Sequence, residues 1–261
     1  MADTIIAIPA RHGSRRFPGK PLAKLTGCTG QSRSLIERSW RAAKQVAGVD
    51  AVYVVTDDDR IAEHAEGFGA EVIMTSDECR NGTERCAEAA ASLPTTPGIV
   101  VNLQGDSPLT RPDHVEALIA AVKRDKSVAV ATPVVQATDE QLERLRDDRR
   151  NDRVGATTAV FRENGDALYF SKEIVPYSGG EEPEVFYHLG LYAYRMESLA
   201  QYSLLRPGRL EEIEGLEQLR FLEEGMTVRC VEVAQSGDHW ELNNPGDVAI
   251  LEDIFKREGI E

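Results

Sequence analysis

The stretch TIIAIPARHGSRRFPGKPL, residues 4–22, decides the fold prediction. Its apolar run at residues 5–8 is typical of a buried β-strand, and a loop containing Gly13 and Gly19 follows directly. The loop holds four cations: Arg11, Arg15, Arg16 and Lys20. Glycine lets a backbone approach phosphate oxygens, and Arg and Lys supply the opposing charge. Because ligands of open α/β sheets bind beyond the carboxyl ends of the strands, the stretch predicts a polyphosphate site there.

An ordinary solvated turn is the alternative interpretation of this loop. The sequence contains no GxxxxGK[ST] motif, and no GxGxxG motif follows the first strand. A nucleotide would therefore be bound by a scheme different from the Walker and dinucleotide fingerprints.

The overall composition is that of an acidic, globular enzyme. The chain has 261 residues and a formal net charge of -14, which argues against nonspecific nucleic-acid binding. No apolar run is long enough for a membrane span, and the N-terminus is unlike a signal peptide. We therefore expect a cytoplasmic protein. The cysteines, which show no CxxC or metal-binding spacing, are expected to be reduced and structural.

Strand-like and helix-like segments alternate through the first half of the chain. Strands are predicted at residues 5–8, 51–56, 71–74, 99–103 and 128–135, and helices at residues 35–46, 61–68, 84–93 and 114–123. Thr83 is the predicted N-cap of the third helix. Nearly continuous apolar strands separated by helices indicate an α/β fold with a mostly parallel central sheet flanked by helices.

The second half of the chain is less regular. A charged helix is predicted at residues 141–148, strands at residues 154–161, 186–194 and 228–233, and helices at residues 212–224 and 248–255. The pattern changes near Arg150 without a clear linker. We therefore predict a single domain over residues 1–261, with a change of character between residues 1–150 and 151–261.

Asp106 is the strongest single candidate for chemistry. It lies in VNLQGDSPL, directly after the apolar strand at residues 99–103, and is therefore predicted at the same sheet edge as the basic loop. Mg²⁺ favours one or two carboxylates together with phosphate oxygens and waters. Asp106 is accordingly a candidate Mg²⁺ ligand, and a turn or helix-cap residue is the alternative interpretation.

Three other residues are candidates on weaker grounds: Arg85 in NGTER, His188 in FYHLGLYAY and Glu217 in LEQLR. A histidine at the start of a strand is more often structural, and a glutamate in a helix is usually solvated. Tyr192 alternates with apolar residues, which is typical of a core position.

Six segments occur in an order that is similar to one family: PARHGSRRFPGKPL, NGTER, VNLQGDSPL, DALYFSKEIVPY, HLGLYAYR and LEQLRFLEEG. Over about residues 5–251 the chain resembles the 3-deoxy-manno-octulosonate (Kdo) cytidylyltransferases. The resemblance implies a nucleotide-diphospho-sugar transferase, Rossmann-like fold with a smaller dimerisation region. Residues 1–150 would form the nucleotide-binding half and residues 151–261 the sugar-binding and dimerisation half. It also implies a cytoplasmic, Mg²⁺-dependent homodimer of lipopolysaccharide biosynthesis that converts CTP and Kdo to CMP-Kdo and pyrophosphate.

The resemblance also assigns roles to residues at matching positions. Contacts with the nucleotide are implied for Arg11, Ser14, Arg16, Lys20, Thr83 and Asp106. Contacts with the sugar acid are implied for Arg85, Gln104, His188, Tyr192 and Glu217. The catalytic residues would be Lys20, Asp106 and Arg11, and the Mg²⁺ ligands would be Asp106 and Asn243.

The sequence departs from the family pattern at several positions. HWELNNPGDV stands where the family has a GVDTPEDL-like motif, so Asn243 occupies the place of the second metal-binding Asp, and Asp238 or Glu241 are alternatives. Gly155 replaces a typical Lys, Lys172 replaces an Arg, and residues 28–33 lengthen a loop. These departures leave two alternative functions open. One is the same reaction on a related sugar acid such as 8-amino-Kdo, and the other is a catalytically weakened nucleotide-binding paralogue.

Overall fold

The computed structural model describes residues 3–13, 17–151, 153, 156–177, 184–234 and 240–261. It divides into two compact units: the first comprises Met1–Glu116 and Ser236–Glu261, and the second comprises Ala117–Gln235. The sequence-predicted change near Arg150 does not coincide with this division. The reason is that residues 128–136 form a strand that pairs with later strands of the second unit. Within the described residues, no helix is both long and apolar enough to cross a membrane.

The elements have the following bounds within the described residues. The strands are β1 (Thr4–Ala10), β2 (Lys24–Thr26), β3 (Ser32–Ser34), β4 (Ala51–Thr56), β5 (Glu71–Met74), β6 (Ile99–Leu103), β7 (Val128–Gln136), β8 (Thr158–Phe161), β9 (Ala167–Ser171), β10 (Phe186–His188), β11 (Leu191–Arg195) and β12 (Thr227–Glu232). The helices are α1 (Leu35–Ala43), α2 (Asp59–Gly67), α3 (Gly82–Ser92), α4 (Pro112–Arg124), α5 (Asp139–Arg150), α6 (Met196–Leu204), α7 (Arg209–Glu214), α8 (Leu219–Glu223) and α9 (Asp247–Glu258).

The main sheet of the first unit is parallel. Its strand order is β5–β4–β1–β6, and β1 is central, with Ile6 opposite Val52 on one side and Val101 on the other. The apolar residues of β1 and β6 are buried, with the exception of the partly buried Pro9, as expected for strands covered on both faces. Because all four strands are parallel, their carboxyl ends lie at one edge of this sheet, as the sequence predicts.

Short polar side chains begin three helices of the first unit, α1, α2 and α3. Ser34 Oγ accepts the Glu37 N–H at the start of α1, and the Asp58 carboxylate caps α2. At the start of α3 the cap is Asn81, whose Oδ1 accepts the Glu84 N–H at 2.8 Å. The prediction that Thr83 caps this helix is therefore wrong, because Thr83 lies within the first turn and is fully buried.

The last helix, α9, belongs to the first unit. Its buried Leu251 and Phe255 pack with Leu25, Leu35 and Leu242 in one apolar cluster. The lengthened loop at residues 28–33 is the turn of the β2–β3 hairpin together with the start of β3. Through the apolar cluster, Leu242 in the segment before α9 packs against Leu25 and Leu35 from the first part of the chain.

The second unit is built around β7. β10 and β11 pair with it antiparallel, β8 pairs antiparallel with β10 and β9, and β12 runs parallel to β7. The predicted α/β class is confirmed. The predicted parallel pairing is found in the first unit, whereas most strand pairs described in the second unit are antiparallel.

Two elements predicted as continuous are interrupted in the second unit. The predicted strand at residues 186–194 is divided into β10 and β11 by Leu189 and Gly190. The predicted helix at residues 212–224 is divided into α7 and α8, because Gly215 adopts a left-handed conformation with φ of 63° that ends α7. Residues 215–218 therefore form a turn instead of part of a helix.

Candidate active site

Lys20 and Asp106 form an ion pair in the first unit, although they are far apart in sequence. Lys20 Nζ lies 2.5 Å from Asp106 Oδ2, and both side chains are partly buried. Lys20 begins a short 3₁₀ turn after Gly19, which has a positive φ of 71° and donates its N–H to the His12 carbonyl. The basic loop and the loop after β6 thus meet at the carboxyl edge of the sheet.

The loop after β6 places Asp106 close to the backbone of β1. A Cβ atom on Gly105 would lie only 2.8 Å from the Pro9 carbonyl oxygen, so a larger residue does not fit there. The Ser39 hydroxyl donates to the Gly105 carbonyl at 3.2 Å. These contacts fix the peptide that precedes Asp106, and therefore the direction in which its carboxylate leaves the sheet edge.

Asn243 follows a residue that is hydrogen-bonded to Asp106. The Leu242 N–H donates to the Asp106 carbonyl at 3.2 Å, and the Asn243 N–H donates to the Asp247 carboxylate at 2.8 Å. The Asn243 side-chain amide donates to Glu241 at 3.4 Å, which directs its nitrogen towards that carboxylate. Asp238, the other alternative, lies outside the described residues.

The donor set of Asp106 and Asn243 fits a magnesium ion. No group of three or more His, Cys, Asp or Glu side chains that could hold a metal occurs in the described part of the chain. Mg²⁺ does not require such a cage, because it keeps waters and takes phosphate oxygens beside one or two protein oxygens. A carboxylate and an amide oxygen on adjacent, hydrogen-bonded segments satisfy that requirement.

The Arg85 side chain makes hydrogen bonds within the first unit. Its guanidinium is buried and donates to the Asp57 carboxylate at 3.1 Å and to the Thr75 hydroxyl at 2.5 Å. These bonds connect α3 to the segments that follow β4 and β5, which is a structural role. A contact between Arg85 and a sugar acid stays a prediction.

Gln104 lies beside the start of α3. A Cβ atom on Gly82 would approach Gln104 Nε2 to 3.3 Å and Asn102 Nδ2 to 3.2 Å, so the two amides pack over this glycine. Thr83 follows Gly82 directly. Arg11 is exposed immediately after β1, whereas Ser14, Arg15 and Arg16 lie outside the described residues.

In the second unit, His188 is a neutral histidine with an assignable tautomer. Its Nε2 lies 2.8 Å from the Thr132 hydroxyl, and that hydroxyl donates its hydrogen to the Leu191 carbonyl at 2.8 Å. Thr132 therefore accepts from an Nε2–H group, which leaves Nδ1 as an acceptor. Burial lowers the pKa of His188 to about 3, so the ring is uncharged at neutral pH.

Tyr192 and Gln218 form a buried pair in the second unit, close in sequence to the predicted Glu217. The Tyr192 hydroxyl donates to Gln218 Oε1 at 3.1 Å, and the Tyr192 ring packs against that of His188 with the centroids 5.5 Å apart. The Gln218 Nε2 atom is buried and has no hydrogen-bond partner among the residues that the structure describes. A buried amide donor usually has a partner, so Gln218 Nε2 is a candidate contact for a ligand or a water molecule.

The similarity to known proteins covers nearly the whole chain. Residues 5–228 match the cytidylyltransferase family. The 3-deoxy-manno-octulosonate cytidylyltransferases of Maricaulis maris and Myxococcus xanthus are 41% and 42% identical, in each case over 98% of both chains. This chain belongs to the 3-deoxy-manno-octulosonate cytidylyltransferase family. The solved structure of a CMP:2-keto-3-deoxy-manno-octonic acid synthetase in complex with CTP is 34% identical, with a TM-score of 0.85 and coverage of 98% of this chain and 100% of the other.

Membership of the cytidylyltransferase family confirms the recognition made from the six segments and the prediction of a nucleotidyltransferase. The structural match confirms the predicted fold class. Sequence reasoning missed Gln218, although it directly follows Glu217 in LEQLR. A signal was its place next to Leu219 in LEQLR, because a glutamine that is buried needs a partner.

Two single-residue departures from the family pattern lie at described positions of this cytidylyltransferase. One is Asn243, which directly follows Leu242, the residue whose N–H binds the Asp106 carbonyl. Lys172 directly follows β9, and its Nζ would lie 2.9 Å from a Cβ atom on Gly215. Lys172 therefore extends over the turn at residues 215–218. Gly155 lies outside the described residues.

Proposed function

We propose that this protein transfers the cytidylyl group of CTP to Kdo, giving CMP-Kdo and pyrophosphate. One observation supports this activity most directly. The cation predicted to hold the triphosphate, Lys20, and the carboxylate predicted to hold Mg²⁺, Asp106, are 2.5 Å apart at the end of a parallel sheet. Triphosphate chemistry requires such a pair of opposite charges, one for the phosphate oxygens and one for the metal.

The reaction exchanges a phosphoanhydride bond of CTP for a phosphate ester bond to the sugar. The anomeric hydroxyl oxygen of the sugar acid forms a bond to the α-phosphorus, and the bond from that phosphorus to the α–β bridging oxygen breaks. Pyrophosphate leaves with the bonding electrons, and the hydroxyl proton is released. Lys20 and Arg11 are proposed to hold the triphosphate, which orients the leaving group and offsets its growing negative charge.

Asp106 and Asn243 are the residues that we propose to hold Mg²⁺. The bound ion would neutralise phosphate charge that otherwise repels the approaching hydroxyl. The chain's own contribution is to fix the backbone that carries both residues: Gly105 fixes the Asp106 peptide against β1, and the Leu242 N–H binds the Asp106 carbonyl.

The sugar acid is proposed to contact side chains of the second unit. His188 offers an acceptor nitrogen, the buried Gln218 amide offers a donor, and Glu217 lies in the same turn. This arrangement matches the hydroxyl groups of a sugar, which donate and accept. Lys172 is the proposed cation for the carboxylate of the sugar acid, since its ammonium lies over this turn.

The first experiment is a pyrophosphate-release assay with purified protein, CTP and Mg²⁺. Kdo, 8-amino-Kdo and N-acetylneuraminate are compared as acceptors, and ATP, GTP and UTP are compared with CTP. The proposal predicts the highest kcat/KM with CTP and Kdo. A higher kcat/KM with 8-amino-Kdo than with Kdo would identify 8-amino-Kdo as the substrate. No pyrophosphate release with any of the acids would contradict the proposed function.

We also propose a cytoplasmic homodimer whose CMP-Kdo product serves lipopolysaccharide biosynthesis. Large apolar side chains of the second unit are exposed, among them Leu204 at 86% and Ile213 at 67%. Exposed apolar side chains mark an association surface where they lie in one patch, and we propose that these residues do. Multi-angle light scattering should give twice the chain mass, and L204E or I213E should shift it towards the monomer; a monomeric wild type would contradict the dimer.

A further inference from the structure

Glu214, the last residue of α7, is bonded to the end of β9. Its Oε1 accepts from the Ser171 hydroxyl at 2.7 Å and from the Tyr169 hydroxyl at 3.3 Å. Its Oε2 accepts from the Lys172 backbone N–H at 3.0 Å. One carboxylate therefore accepts hydrogen bonds from three donors within residues 169–172, at the end of one strand.

Glu214 is ionised at neutral pH. Burial raises the pKa of this carboxyl, but the hydrogen bonds from the Lys172 N–H, Ser171 and Tyr169 outweigh burial, so the pKa lies below its ordinary value. A charged carboxylate is a stronger acceptor than a neutral side chain of the same shape. The connection between α7 and β9 therefore depends on the charge of Glu214 and on both of its oxygens.

The residues that follow Glu214 form the turn that carries Glu217 and Gln218. Gly215 donates its N–H to the Glu211 carbonyl at 2.7 Å and reverses the direction of the chain. On the other side of the turn, the Arg220 guanidinium binds the Glu211 carboxylate through two bonds of 2.6 Å and stacks 4.0 Å from the centre of the Tyr202 ring.

The two anchors of this turn differ in kind. The Glu211–Arg220 pair is buried and holds α7 to α8, so it serves the core. Glu214 is only partly buried, and it holds the turn to the strand end from which Lys172 extends. Removal of the first anchor would disturb folding, whereas removal of the second leaves the core pair intact and changes the position of the turn.

We infer that Glu214 is a positioning residue for the sugar acid. It fixes the turn at residues 215–218 against the end of β9, so that Glu217, Gln218 and the Lys172 ammonium keep their mutual positions. This inference rests on the proposed function, in which those side chains contact the sugar acid. Glu214 itself is bonded to protein donors and is not assigned a contact with either substrate.

The test compares E214Q with E212Q, a matched change at an exposed glutamate of the same helix. A glutamine has one acceptor oxygen in its amide, so it does not satisfy all three donors. We expect the KM for Kdo to rise about tenfold in E214Q, because a hydrogen bond to a charged group is lost. The KM for CTP, kcat and the thermal midpoint should stay near their wild-type values, and E212Q should match the wild type throughout.

Hydrogen exchange supplies a readout that does not depend on the substrate. The amides of Gly215 and Leu216 should exchange faster in E214Q than in the wild type or E212Q, because the end of α7 has lost its anchor. Unchanged exchange there, or an equal rise in the KM for CTP and for Kdo, overturns the inference. If the wild type uses none of the acids, the proposed function fails by itself. In that case the hydrogen-exchange measurement tests only whether Glu214 fixes the turn at residues 215–218. The role of Glu214 in positioning a sugar acid is then rejected.

Discussion

Replacement of His188 by Gln should flatten the pH dependence of the unfolding free energy in mild acid. The wild-type imidazole has a pKa of about 3 in the folded protein, against an ordinary value of 6.5. Burial causes the difference, and the Thr132 hydroxyl accepts from the Nε2–H without requiring a charged ring. Gln is chosen because its side-chain amide can also donate to Thr132.

The size of the effect follows from proton linkage. Below the ordinary pKa the unfolded chain takes up a proton on this ring that the folded protein does not, so stability is lost as the pH falls from 6.5 towards 3. Each unit of pH within that window costs up to about 1.4 kcal/mol. Between about pH 7 and pH 5 the contribution of His188 is therefore about 2 kcal/mol, and the Gln variant lacks it.

Urea denaturation followed by circular dichroism at several pH values between 5 and 7 measures this difference. Burial also lowers the pKa of His64, which acts with the same sign, so the comparison is between the two pH slopes and not between absolute stabilities. An equal slope in wild type and H188Q would refute the reasoning. A pKa near 6.5 for His188 in an NMR titration would do so as well, and the same spectra report whether Nε2 carries the proton.

Three further predictions concern the first unit. Asp106→Ala should lower turnover by roughly a thousandfold or more while the thermal midpoint changes little, since the side chain is at a loop end; near-wild-type turnover would remove Asp106 from the mechanism. Asn243→Asp should lower the Mg²⁺ concentration needed for half-maximal activity, because a carboxylate binds Mg²⁺ more strongly than an amide, whereas an unchanged titration would favour Glu241. Lys20→Met should tighten Mn²⁺ binding to the nucleotide-free protein by roughly fivefold, as measured by calorimetry, because the ammonium no longer competes for Asp106; equal affinity would exclude that competition.

The parallel sheet of the first unit was predictable because local sequence determines it. β1, β4 and β6 are continuous apolar runs, and such runs separated by helices have few other ways to be buried. The meeting of Lys20 and Asp106 also follows from the pattern, since both lie in loops that follow parallel strands of one sheet. The roles predicted for Arg11 and Asp106 therefore rested on the position and charge of these residues as well as on the family resemblance.

The turn between α7 and α8 was not predictable from periodicity. Residues 212–224 have the spacing of one helix, and Gly215 alone could have been tolerated within it. Tertiary contacts accompany the end of the helix at this point. Glu214 is hydrogen-bonded to the end of β9, and Glu211 is paired with Arg220. Arg85 illustrates the same limit, because its pairing with Asp57 joins segments whose proximity no local pattern reports.

In the proposed site, where Lys20 holds the nucleotide and Asp106 holds the metal, the Lys20–Asp106 contact makes nucleotide and metal affinity interdependent. In the contact the ammonium is the counter-ion of the carboxylate, and a divalent cation arriving alone has to compete with it for the same oxygen. A triphosphate gives the ammonium other anionic partners and thereby releases the carboxylate for the metal. By thermodynamic reciprocity, the metal must strengthen nucleotide binding by the same factor. The protein thus favours the loading of both ligands together, and disfavours a site that holds a metal without the substrate on which it acts.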